Sequence, residues 1–273
     1  MPITPASCPT AAHPAAAAAF GDEPGRWPLP TAHTPEDLWL YAVAAGGQGR
    51  YSSADAALSE MLRARPEARL TSLALSTRAS FLRQLGGHRR AHEVDGRAWA
   101  RAGGDPEAGI DALVGLAADA LGVGRLAASA TLLRRAETLN RTVETPPRLD
   151  IRLAWVHAEL AMVAGDGAAA VTHARYGVEL AESALPALRR HRVKSDVVLA
   201  AALCCAGDLT GSRDLADNAL VTAQACGLVP LQWALACLLV DIGSAAHGPA
   251  AIADVRDRAA GFVTRHGGRW GSS

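Results

Sequence analysis

The chain has 273 residues, 49% of them apolar but only 4% aromatic, and its 27 Lys and Arg are balanced by 27 Asp and Glu. Zero net charge excludes the basic excess usual in a nucleic-acid-binding domain. Much of the apolar fraction is alanine, and burying alanine gains little at about 25 cal/mol per Å². Stability must therefore come from many close helix contacts and from helix propensity.

Residues 1–33 carry many prolines and the run Ala15 to Ala19, without an amphipathic period. They read as a disordered, dispensable tail. They lack the basic start and uninterrupted apolar core of a secretory signal. Thr34-Pro35-Glu36-Asp37 opens the first helix, with Thr34 as N-cap, Pro35 at the first helical position and Asp37 completing a capping box. That helix is predicted to run to about Ala45, where Gly46-Gly47-Gln48-Gly49 breaks it, and a second helix spans about Ser52 to Ala64. Further pairs follow: Glu67–Leu85 with a helix ending near Ala102, and Asp105–Leu121 with a helix ending near Asn140. The next pair turns at Gly165-Asp166-Gly167 and ends near Ser183. The fifth opens at Pro186 and ends near Ala225. The sixth opens at Pro230, and its second helix spans about Pro249 to Arg265. Residues 267–273 read as a flexible tail. No segment alternates as a strand does, so the fold is expected to be all-α.

The turn glycines Gly49, Gly86, Gly124, Gly165 and Gly207 are separated by 37, 38, 41 and 42 residues. Seven residues before them stand Ala42, Ala79, Ala117, Ala158 and Ala200. Five after stand Ala54, Ala91, Ser129, Ala170 and Ser212, and twelve after stand Met61, Ala98, Ala136, Gly177 and Ala219. Small residues recurring in phase let helix backbones approach at each crossing. Within the first unit, Gly49, Tyr51, Ala54, Leu58, Met61 and Pro66, with Leu38, Tyr41 and Ala42 before them, resemble a tetratricopeptide repeat (TPR). The resemblance covers residues 34–266 and implies an α-solenoid of about six antiparallel helix pairs, a TPR-like superhelix. Its usual period is about 34 residues, so these units are longer by roughly three to eight.

The resemblance further implies that the first helix of each pair lines a concave groove that binds a peptide or protein segment. The groove-facing places are Glu36, Trp39 and Val43; Leu73, Ser76 and Ser80; Asp111, Val114 and Ala118; Arg152, Trp155 and Glu159; and Lys194, Val197 and Ala201, with Arg83 and Arg190 further along two of these faces. The Lys/Asn/Lys/Arg set of carboxylate-clamp TPRs is absent. Tryptophan and arginine are frequent interface hot spots, so Trp39, Arg83, Arg152, Trp155, Glu159, Arg190 and Lys194 are the candidate partner-binding residues. Their bland alternatives are inter-repeat packing for the tryptophans and a solvated helix face for the basic run Arg189 to Lys194. The expected partner is an acidic segment with an apolar anchor.

Enzymatic signatures are missing: there is no G-x-S-x-G and no P-loop. His88 and His92 have metal-compatible i, i+4 spacing with no third ligand evident. The cysteines Cys8, Cys204, Cys205, Cys226 and Cys237 form no regular framework and read as reduced, intracellular thiols. The longest apolar run, Leu228 to Val240, is broken by Pro230 and Gln232, short of the roughly 20 residues that span a bilayer. A cytoplasmic, non-enzymatic interaction or regulatory scaffold is therefore expected, with no cofactor, nucleic acid or membrane. The long Ala- and Arg-rich repeats are similar to the TPR arrays of bacterial transcriptional regulators, without room for their DNA-binding half. Two alternatives stay open. One is a sensing module with an enclosed pocket around Trp155. The other is a homo-oligomerisation module, since Leu231, Trp233, Leu235, Leu238 and Leu239 leave the helix after Pro230 apolar nearly all round. A homodimer through the C-terminal helices is expected on that ground.

Overall fold

The computed structural model describes residues 15–271. Helix α1 (Ala15–Phe20) precedes six antiparallel pairs: α2 (Pro35–Gly47) with α3 (Tyr51–Arg63), α4 (Ala68–Gln84) with α5 (His88–Arg101), and α6 (Pro106–Gly122) with α7 (Leu126–Asn140). These continue as α8 (Arg148–Val163) with α9 (Gly167–Ser183), α10 (Arg189–Cys205) with α11 (Leu209–Ala225), and α12 (Val229–Ile242) with α13 (Pro249–Arg265). Among the described residues there is no strand, and consecutive helices pack on one another as an α-solenoid. None of these helices is long and apolar enough to cross a membrane.

Local chemistry sets the helix ends. Thr34 Oγ1 accepts from the Asp37 N–H at 3.2 Å while Asp37 Oδ2 accepts from the Thr34 N–H at 3.0 Å, the reciprocal capping box. Asp105, Asp166 and Asp208 cap α6, α9 and α11 through Oδ1. The five turn glycines all have φ between 77° and 86°, the left-handed conformation that ends a helix without a Cβ penalty. Only α10 departs from its expected start: it begins at Arg189, three residues beyond Pro186.

The recurring small positions are the crossings. All fifteen, from Ala42 to Ala219, are buried. Large side chains such as Leu58, Leu73, Ile110, Leu133 and Leu235 fill the layers between.

The solenoid curls until its last pair lies against its first. The Ser52 N–H donates to the His266 carbonyl at 2.8 Å, and the Gly271 N–H donates to the Leu85 carbonyl at 2.6 Å. Val263 belongs to the same apolar cluster as Tyr51 and Leu58, with Trp270 packed against it. Residues 267–271 are therefore docked, contrary to the flexible tail expected there.

The expectation of an unstructured N-terminal tail likewise fails for residues 15–33; residues 1–14 lie outside the described chain. Ala15, Ala18 and Ala19 are buried, and Phe20 lies against Trp39. The Gln48 side chain donates to the Pro24 and Arg26 carbonyls at 2.9 and 3.0 Å. Gly25 sits so close to the Cys226 carbonyl that a Cβ would fall 2.6 Å from it. The segment thus straps the first pair to α10 and α11, a role that its composition hides.

Much of the apolar surface of α12, the reason for expecting a dimer, packs within the chain, while Val240 stays exposed. Leu235 and Leu239 are buried, Leu231 and Leu238 pack on the same cluster, and Trp233 meets Trp270 with ring centroids 4.4 Å apart.

Candidate functional site

Closing the array turns the expected open groove into a cavity of about 180 Å³. Every first helix of a pair contributes: Trp39, Val43 and Gly47 from α2, Ser76, Thr77, Ser80, Phe81 and Gln84 from α4, and Asp111 from α6. Arg148, Arg152 and Trp155 come from α8, Arg190, His191 and Lys194 from α10, Pro230 and Leu231 from α12; Phe20 of α1 adds an aromatic wall. The second helices contribute no lining residue.

Of the candidate residues, Trp39, Arg152, Trp155, Arg190 and Lys194 come together here. Trp39 is only 4% exposed, and its Nε1–H donates to Thr77 Oγ1 at 3.0 Å. Trp155 is half-buried; its Nε1–H donates to Ser195 Oγ at 2.8 Å, and that hydroxyl donates to the Gly177 carbonyl at 3.0 Å. This relay fixes the indole plane, on which buried His191 stacks with centroids 5.5 Å apart. Burial, then the charges of Arg190, Arg148 and Arg152, hold the His191 pKa well below its ordinary value, so the imidazole is neutral.

Glu159 does not line the cavity but accepts from Lys194 Nζ at 3.5 Å, and Lys194 in turn stands 5.9 Å from the Trp155 ring centroid. Arg83 is elsewhere. It is sandwiched between two fully buried carboxylates, donating to Asp95 Oδ2 at 2.5 Å and Asp119 Oδ1 at 2.9 Å, and serves the α4–α5–α6 packing.

Sequence reasoning missed Phe20, Arg148 and His191. Arg148 stands one turn before Arg152 on the same face, and that spacing was the available signal for it. Arg148 donates to Glu107 Oε1 at 2.7 Å and lies 3.3 Å from Asp111 Oδ2, while Arg152 pairs with the same Asp111. Arg69 takes the other oxygen of Glu107 at 2.7 Å. Burial raises the Glu107 pKa, but Arg148 and Arg69 outweigh it and hold the carboxyl low. Burial and like-charged neighbours push Arg152 and Arg190 down to about 10, so both remain cations at neutral pH.

The site is therefore an aromatic-walled cavity with four lining cations and one lining carboxylate, Asp111. His88 lies 3.9 Å from Asp119 and His92 is exposed; among the described residues no group of three His, Cys, Asp or Glu could hold a metal ion. No family model matches the chain, and no curated protein matches it in sequence.

Proposed function

We propose that the protein is a non-enzymatic, TPR-like binding module that senses a small ligand in its inner cavity. The observation that carries this reading is the convergence of Trp39 from the first pair with Trp155 and four cations from the fourth and fifth pairs on one space of about 180 Å³. A cavity of that size takes a ring-sized molecule; one of about 150 Å³ holds benzene. An extended peptide, the first expectation from the repeats, has less support, because Phe20 and the Arg190 side chain occupy the path it would follow between α2 and α10. A ligand touching both ends of a solenoid would stabilise the closed form and report its presence through the strap and the terminal pairs.

The test is a thermal-shift screen of small acids, amides and amines with apolar bodies. A ligand at about 100 times its Kd should stabilise the wild type by about 2.7 kcal/mol. Trp155→Ala should abolish the shift. A set of ligands that stabilises Trp155→Ala as well as the wild type would place binding outside the cavity.

A further inference from the structure

Resting on the reading of the cavity as a ligand site, we infer that its ligand is a singly charged carboxylate with an apolar body of about one ring, held by the Arg190 guanidinium. The charges lining the cavity are matched one against another, with a single exception. Arg148 and Arg152 share Asp111, Arg148 also takes Glu107, and Lys194 takes Glu159. Among the described residues no carboxylate lies within ion-pair distance of Arg190. Its hydrogen bond there is from Nη1 to the Val43 carbonyl, long at 3.4 Å. A guanidinium carries five N–H donors in a planar fork that matches a carboxylate. Arg190 thus presents a nearly unused fork, pressed against Gly47, where a Cβ would fall 2.9 Å from its Cδ.

A second, independent feature borders the same space. Ser76, on α4, is 4% exposed and lines the cavity, yet its Oγ has no hydrogen-bond partner. Buried hydroxyls are nearly always partnered, and of the two unpartnered ones among the described residues, Ser76 and Ser129, it is Ser76 that stands in the cavity wall, where a ligand group could supply the partner. Fork and hydroxyl supply the polar contacts; Phe20, Trp39, Val43 and Leu231 supply an apolar surround.

The charge count selects a monoanion. One cation is unmatched, His191 is neutral, and Asp111 in the wall repels additional negative charge. A phosphate dianion would need a second cation drawn away from its carboxylate, which is costly for a buried pair.

The experiment is isothermal titration of the full chain at pH 8 with phenylacetate, phenylacetamide and phenylphosphonate. Phenylacetate should bind, with the amide and the doubly charged phosphonate at least about tenfold weaker. Arg190→Gln should lose about tenfold or more for phenylacetate while leaving the amide unchanged, and Arg190→Lys should fall between, keeping charge but losing the fork. Circular dichroism melting of each variant separates lost affinity from lost folding, and the wild-type comparison stands without any variant. Equal binding of amide and carboxylate, tighter binding of the phosphonate, or an unchanged Arg190→Gln overturns the carboxylate assignment while the cavity reading survives. Failure of all three ligands to bind overturns both.

Discussion

The Phe20 ring lies against Trp39 with centroids 5.4 Å apart and against His191 at 6.1 Å, so one side chain from the N-terminal strap touches both the first and the fifth pair of the array. Arg148 and Arg190 flank the same ring at 5.2 and 6.0 Å. The strap is thus a wall of the cavity as well as a clasp on the solenoid. Phe20→Ala should destabilise the protein by about 2 kcal/mol, less than the roughly 3–5 kcal/mol of a fully buried phenylalanine. Truncation through residue 33 should lower the melting temperature further. Urea denaturation checks the first and a thermal melt the second; an unchanged midpoint for both would mean the strap contributes no stability.

Asp95 and Asp119 share the single guanidinium of Arg83 in a fully buried site. Burial pushes Asp95 up to about 7, opposed by Arg83 and reinforced by Asp119, so the pair retains a proton near neutrality. The folded pKa is above the unfolded value of about 3.9. The associated stability is therefore present below pH 4 and is lost progressively as pH rises to about 7. Asp95→Asn mimics the protonated form: it should melt higher than wild type at pH 8, with the difference shrinking toward pH 4. Parallel melting curves across that range would show that the pair holds no extra proton.

Ala117 is fully buried at the α6–α7 crossing, in phase with Ala42, Ala79, Ala158 and Ala200. Ala117→Leu should overpack that crossing and cost about 1–3 kcal/mol. The surface change Ala127→Leu, at an exposed place on α7, should cost little. Comparing the two melting temperatures checks the phase; equal values would remove the crossing assignment.

The helix pairs and their crossings were legible because each rests on local signals: a glycine at positive φ, an Asp or Thr cap, a small residue at a fixed offset from the turn. Trp39, Arg152, Trp155 and Lys194 were legible as inner-face residues for the same reason. The closure of the array was not, since curvature accumulates from small rotations between neighbouring units that no single repeat encodes. Closure decides that Arg190 reaches Gly47 and that Trp233 meets Trp270 of the docked C-terminal segment. Phe20 escaped because its helix is six residues long and apolar on every side, giving no period to read. Arg83 was misplaced because helix phase cannot distinguish a groove-facing arginine from one turned toward Asp95 on its partner helix α5 and Asp119 on α6 of the next pair.

Hydrogen–deuterium exchange of the wild type with and without saturating phenylacetate tests most directly whether one ligand bridges both ends of the array. The predicted result is added protection in α2, α4, α8 and α10 together, with α3, α5, α7 and α9 little changed. Protection confined to a single helix pair or to those outer helices, or none at all, would contradict a ligand site built by closing the solenoid.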